Sequence, residues 1–411
     1  MVKEWQTINL SKNSKIKARI GWQGLTTAEY LDEGYAYLVT GTDIKSGRVD
    51  WGNCHFVTYE RYAQDVNIQI ANGDLLLSKD GTIGKVALVS NLRRPATLNS
   101  GVFVIRPTTA AYITEYMFYV LESFIFKDFL GQLSAGSTIN HLYQKDIIKF
   151  ECALPPISEQ KNIATVLSTM DRLISELTRL IAKKKVVRQG AMQLLVSGKK
   201  RLSGFSGDWK VTSLDKLCKI ITKQTGFDYS AEIKPSLVTA PQIGAIPFIQ
   251  NKDFEGFDIN YNTDFFIPCD VAERYPKILL DEVCLLISIS GRIGNVAVFD
   301  NKQKAFAGGA VGIAKLFDPA IANWCMLYLS GREGQEQIFS NEKVGAQHNL
   351  TVADVRKLEI KLPEKTEREA IISVLSDMDN EIRILEEKLQ KHIQMKQGMM
   401  EELLTGKVRL V

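Results

Sequence analysis

The chain has 411 residues, 45% of them apolar and 24% charged. These are ordinary globular values over a length that suits two or three domains, and they exclude global disorder, a collagen-like chain and a small disulfide-stapled fold. The formal net charge of +4 is too weak to announce a polyanionic partner. No run of about 18 uncharged apolar residues offers a membrane span, and the start, Met1 to Leu10, carries Lys3 and Glu4 with no apolar core behind them, so no signal peptide is read.

Residues 1–150 read as a mixed domain rich in short strands, such as Tyr37-Leu38-Val39, Leu75-Leu76-Leu77, Val86-Ala87-Leu88-Val89 and Val102-Phe103-Val104-Ile105. A helical stretch, Tyr112 to Leu130, and a polar loop, Gly136 to His141, close it.

Residues 151–205 then read as one long helix. Pro156 and a turn at Ser158 open it, with glutamate just behind, and Ser197-Gly198 stops it. Its seam follows a 4-3 spacing: Met170, Ile174, Leu177, Ile181, Lys184, Arg188, Ala191, Leu195.

Residues 206–360 form a second mixed domain, with strands at Phe248-Ile249, Val283 to Ile287 and Val296 to Phe299. It has a helical stretch from Ile321 to Phe339 and a polar loop, Gly345 to Asn349. Residues 361–411 are a second long helix, opened at Thr366 and stopped at Thr405-Gly406. Its seam is Met378, Ile382, Leu385, Leu389, His392, Lys396, Met399, Leu403.

The chain is written twice. Shifted by 208, residues 146–202 lie over 354–410 without a gap, and roughly two-fifths of the positions are identical. Glu159 meets Glu367, Val166-Leu167-Ser168 meets Val374-Leu375-Ser376, and Gly198-Lys199 meets Gly406-Lys407. A fainter repeat at a shift of 210 sets Gly81-Thr82-Ile83-Gly84 over Gly291-Arg292-Ile293-Gly294.

The order mixed–helix–mixed–helix predicts an α+β chain with a pseudo-two-fold internal repeat. A helix with one apolar stripe must bury it, and its own repeat is the natural partner, which gives two antiparallel coiled-coil helices separating the mixed domains. Packing of each helix on its own preceding domain is the alternative. Lys184 and His392 are polar breaks that fix register.

The charge is uneven. Residues 151–205 carry a net +6, residues 206–360 a net −3. A basic helical run is either a solvated face or a phosphate contact strip.

Catalytic chemistry is missing. Gly198-Lys199-Lys200 lacks the rest of a phosphate loop, and Gly81-x-x-Gly84 lies between strands rather than before a helix. No run of the Asn/Asp-Pro-Pro-Tyr type suggests a methyl-donor site. Cys54, Cys152, Cys218, Cys269, Cys284 and Cys325 form no paired motif and suit free thiols in a reducing cytoplasm. With four scattered histidines they give neither metal-ligand spacing nor a nucleophile–base pair. No catalytic residue and no metal ligand is expected.

Leu154-Pro155-Pro156-x-x-Glu159-Gln160 at the helix start and Gln193-Leu194-Leu195-x-Ser197-Gly198-Lys199-x-Arg201-Leu202 at its end resemble the DNA-specificity subunit of type I restriction–modification systems. Gly204-Phe205-x-Gly207-x-Trp209, Tyr37 to Ile44 and Ser78-x-Asp80-Gly81-x-Ile83-Gly84 extend the resemblance along the chain. The second copy departs at Pro363-Glu364 and Arg368, and at Asn251-Lys252.

The resemblance implies two target recognition domains (1–150 and 206–360), each reading half of a split DNA target. Two spacer regions (151–205 and 361–411) set the gap between the halves. It implies double-stranded DNA, two methyltransferase subunits and up to two restriction subunits as partners, no membrane, and a cytoplasmic location. S-adenosylmethionine, ATP and magnesium would belong to those partners, with no cofactor in this chain.

Base-reading candidates fall in corresponding loops. They are Thr40, Thr42, Lys79, Thr82, Asn140 and His141 in the first domain, and Gln250, Asn251, Lys252, Arg292, Gln347, His348 and Asn349 in the second. Turn or capping chemistry is the alternative role for each. Rival readings of the whole are a stand-alone DNA-binding regulator and a coiled-coil scaffold for proteins only.

Overall fold

A computed structural model describes residues 4–20, 24–134, 141–225, 228–340 and 349–410. The chain divides into two units: residues 1–179 with 386–411, and residues 180–385. Each unit contains one mixed domain and a segment of both long helices.

In the first unit, Ser14–Lys17, Val102–Pro107, Leu75–Ser78 and Val86–Leu88 make a four-stranded sheet in that order, all antiparallel. A three-stranded sheet places Ala36–Val39 between His55–Val57, antiparallel, and Ala96–Leu98, parallel. Gln6–Asn9 pairs with Glu151–Leu154, tying the start of the domain to its end.

The second unit repeats the plan. Cys218–Lys223, Val311–Leu316, Cys284–Ser288 and Val296–Phe299 form one sheet. A second sheet runs Phe266–Pro268, Ala245–Ile249, Ala305–Ala307, Leu279–Leu280, with one parallel pairing. Lys210–Ser213 closes on Glu359–Leu362. Most residues of the runs predicted as strands are buried, Leu75, Leu76 and Leu77 all at 0% exposure, as expected for strands covered on both faces.

Two expectations need correction. The helical stretches of the mixed domains are each broken into two: Thr114–Glu122 and Phe124–Ser134, and Ala322–Ser330 and Arg332–Ser340. The second break allows a close return, because a Cβ on Gly334 would lie 2.4 Å from the Leu329 Cα. The long helices, Ile157–Val196 and Lys365–Leu403, start one residue before Ser158 and Thr366. These two residues are therefore exposed members of the first turn and not the residues that precede it.

At 40 and 39 residues the long helices are rods of about 60 Å. Gly198 (φ +72°) and Gly406 (φ +73°) end them in the left-handed region. Every predicted seam residue is buried or half-buried, while most residues between them are exposed.

Within each unit the helix segments run antiparallel. In the 180–385 unit Lys184 pairs with Glu381 at 2.7 Å, Arg188 with Asp379 at 2.7 Å, and Arg201 with Glu367. In the other unit Asp171 pairs with Lys396 at 2.7 Å and Glu159 with Arg409 at 2.7 Å. His392, which matches Lys184 in the repeat, has a buried Nδ1 with no hydrogen-bond partner among the described residues.

Packing on the repeat and packing on a mixed domain are not alternatives here. Ile163, Ala164 and Leu167 from one helix and Leu403 and Leu404 from the other share a core with Tyr116, Phe126 and Phe150. In the second unit Met192, Leu195, Ile371 and Leu375 share a core with Trp324 and Leu327.

Candidate nucleic-acid interface

In each unit the same three backbone segments converge. The first is a tight hairpin. In the first unit, Ser78 is fully buried, and its hydroxyl donates to the Thr82 carbonyl at 2.6 Å while accepting from the Lys85 N–H at 2.9 Å. Ser288 does the same with the Arg292 carbonyl and the Asn295 N–H. Gly81 and Gly84, like Gly291 and Gly294, take positive φ, which the tight turn between the strands demands. A buried serine thus staples the hairpin, and Thr82 or Arg292 stands exposed at its tip. The Arg292 side chain forms no hydrogen bond or ion pair among the described residues and stands exposed.

The second segment is a carboxylate-capped loop. Buried Asp43 accepts from the Thr40 N–H and hydroxyl, both at 2.8 Å, and Thr40 in turn bonds Thr42 at 2.7 Å. Buried Asp253 accepts from the Gln250 N–H at 2.7 Å, and burial pushes its carboxyl up from the ordinary value despite that bond. Asn251 donates to the Ser290 carbonyl at 2.8 Å, joining loop to hairpin. Lys252 is held by Asp264. In the first unit Lys85 reaches the Gly41 carbonyl at 3.5 Å.

The third segment bridges to the hairpin base. Asp80 pairs with His141 and Ser290 with Asn349 as isolated antiparallel bridges. Asn140, Gln347 and His348 lie outside the described residues.

Among the described residues, the first unit alone carries ionisable groups at this bridge. Lys79, 9% exposed, sets its Nζ 3.4 Å from His141 Nε2 and 3.7 Å from Asp80, with the Phe103 ring 5.6 Å below. His141 Nδ1 faces Asp80. Both ring nitrogens of His141 are thus engaged, one by Lys79 and one by Asp80. Ile289, Ser290 and Asn349 take these places in the second unit.

Sequence reasoning missed two neighbours. Tyr143, 54% exposed, packs its ring 4.3 Å from that of His141, and Lys145 lies 5.2 Å from the Tyr143 ring. An exposed aromatic beside an exposed cation, next to a predicted loop, was the available signal. Among the described residues no group of three His, Cys, Asp or Glu side chains could hold a metal ion, and no helix is long and apolar enough to cross a membrane.

Paired loops beside exposed hairpin tips, twice over, one tip polar and one basic, suit a ligand that presents phosphates and base edges. The family described as the type I restriction modification DNA specificity domain matches residues 7–187 and again 206–395. The chain belongs to this family. Family members that resemble it include a putative type I restriction enzyme MjaX specificity subunit of Methanocaldococcus jannaschii, 26% identical and covering 94% of this chain and 90% of the relative. The EcoKI specificity subunit of Escherichia coli K12 is 20% identical over 84% of this chain and 75% of its own.

The fold is shared with solved chains of type I restriction–modification systems. The S subunit of a type I restriction–modification system from M. genitalium superposes with a TM-score of 0.55 at 14% identity, covering 98% of this chain and 96% of that one. A chain solved in a study of assembly and conformational transition of a type I system reaches 0.63 at 17% identity, covering 98% of each. A specificity subunit of this kind reads DNA and leaves the chemistry to other chains.

Proposed function

We propose that this chain is the sequence-reading subunit of a type I restriction–modification complex. It recognises a bipartite, asymmetric DNA target and directs methylation and restriction by partner subunits. The observation that carries this reading is the doubled site: one polypeptide presents the serine-stapled hairpin and the Asp-capped loop twice, with different side chains at the tips. Two such readers in one chain suit two different half-sites, which identical protomers of a homodimer would not.

We assign residues 1–150 and 206–360 as the two target recognition domains and 151–205 and 361–411 as the spacer. The spacer helices dock two methyltransferase subunits, and up to two restriction subunits join that core. S-adenosylmethionine, ATP and magnesium are bound by those partners, and the complex works in the cytoplasm. Thr82 and Arg292 at the hairpin tips, with Thr42 and Asn349, are the residues assigned to base contact.

Mapping N6-methyladenine across a host genome, with and without this chain, tests the reading. Two short defined blocks flanking unspecified bases are expected, and exchange of residues 1–150 for a relative's changes one block only. A chain that binds duplex tightly without methyltransferase subunits would instead be a regulator, and one that never binds DNA a scaffold.

A further inference from the structure

Each unit contains one seam cation that leaves the helix pair and reaches the mixed domain. In the 180–385 unit it is Arg188. Its Nε and Nη2 hold both oxygens of Asp379, at 2.8 and 2.7 Å, and its guanidinium lies 4.9 Å from the centre of the Phe257 ring. The side chain is only 9% exposed, so the fork is desolvated and its plane fixed.

Phe257 forms the turn of a short hairpin, Phe254–Glu255 with Asp258–Ile259, which begins directly after Asp253. Asn260 donates to the Asp253 carbonyl at 2.8 Å, so the two ends of that hairpin close on the capping aspartate. Asp253 holds Gln250, and Asn251 holds Ser290 beside the Arg292 tip. A continuous line of contacts therefore runs Asp379, Arg188, Phe257, Asp253, Asn251, Ser290.

The first unit builds the same line with other chemistry. Lys396, 208 residues beyond Arg188 in the repeat, binds Asp171 at 2.7 Å and Glu122 at 3.0 Å, and lies 5.5 Å from the Tyr119 ring. Tyr119 donates to Asp171 at 2.7 Å. The hairpin Ile44–Lys45 with Arg48–Val49 follows the capping Asp43 directly. Its turn residue Gly47 packs so closely on Phe118 that a Cβ would lie 2.6 Å from the ring and 3.7 Å from Glu122.

Position 47 corresponds to 257, and 122 to 330. The second partner of the cation is thus an acid next to a glycine turn in one unit, and an aromatic ring supplied by the turn itself in the other. Two different solutions to one connection argue that the connection matters more than either pair.

We infer that Arg188 and Lys396 are positioning residues that anchor the reading loops of their own unit to its paired helix segments. The inference rests on the DNA-specificity reading above. It says that the sharpness of each half-site depends on its own cation, although neither cation touches DNA.

The test uses the full chain with its methyltransferase partners in a host whose N6-methyladenine is mapped genome-wide. Arg188→Met keeps the aliphatic stem and removes the fork, and Phe257→Leu leaves the Arg188–Asp379 pair intact. Both are expected to relax only the block assigned to residues 206–360, raising methylation of single-mismatch sites by about tenfold. Lys396→Met is expected to relax only the other block.

Equal relaxation of both blocks, or a loss of total methylation with an unchanged motif, would overturn the inference in favour of general stability. Phe257→Leu decides the matter if Arg188→Met does not fold. Failure of the unmodified chain to give any two-block motif would instead sink the specificity reading itself.

Discussion

Arg409 grips Glu159 at both carboxylate oxygens, 2.7 Å from Nε to Oε1 and 2.7 Å from Nη2 to Oε2, and lies 5.6 Å from the Trp5 ring. Arg201 does the same for Glu367 and lies 5.3 Å from the Trp209 ring. The end of one long helix is therefore clamped to the start of the other, once in each unit. Trp209 adds a hydrogen bond to Glu367 at 3.0 Å, whereas the buried Trp5 Nε1 has no partner among the described residues.

This clamp gives a pH dependence with a definite sign. The Arg409 guanidinium holds the Glu159 carboxyl below the ordinary glutamate value of 4.5. The folded state thus binds that proton less readily than the unfolded chain. Stabilisation is full above 4.5 and is lost as pH falls through the lower folded value. Glu159→Gln is expected to lower the melting temperature at neutral pH, with the deficit shrinking below that point. A deficit that stays constant down to strong acid would remove the clamp from the explanation.

The shared cores make a second prediction. Leu167 is fully buried between a mixed domain and the helix pair, so Leu167→Ala leaves a cavity worth about 2–5 kcal/mol. Leu375→Ala, its repeat counterpart at 1% exposure, is expected to cost as much in the other unit. Denaturant unfolding of the two variants checks both values, and a cost below about 1 kcal/mol would mean that the helices contribute little to these cores.

Much of this architecture was legible in the sequence because the repeat exposes it. The overlay aligned Glu159 with Glu367 and Arg201 with Arg409, and the 4-3 seam identified the residues that are buried. What the overlay could not give was the pairing of Glu159 with Arg409, some 250 residues away, because identity says that a residue matters and not what it meets. The break at Ser123 was hidden because apolar residues follow it directly, and only Glu122 separates it from Leu121 before it. At the loops, Lys79 and His141 are candidates for base contact in the sequence, and only geometry shows them bonded to each other.

The stapling serine sets the shape of the reading tip. Ser288→Ala removes a donor to the Arg292 carbonyl and an acceptor for the Asn295 N–H, a loss of about 1–2 kcal/mol. The hairpin also keeps a backbone bond from Gly294 to Ser288 at 3.0 Å, so the domain is expected to fold. Binding to the cognate duplex should weaken several-fold; an unchanged affinity alongside a lowered melting temperature would show that the tip does not touch DNA.

Arg292 and Lys145 separate the two kinds of contact a reading domain makes. Arg292, on a glycine turn and with no side-chain partner among the described residues, is the residue expected to read a base edge. Arg292→Ala should relax one base pair of one half-site at a cost of about 1–3 kcal/mol. Lys145 lies exposed beside Tyr143, where a point charge suits a phosphate. Lys145→Ala should weaken cognate and non-cognate duplexes alike and reduce the salt slope of binding by about 1. Duplex titrations at several salt concentrations distinguish them. A specificity change at Lys145, or a uniform loss at Arg292, would reverse the assignment, because a phosphate contact carries no sequence information and a base contact must.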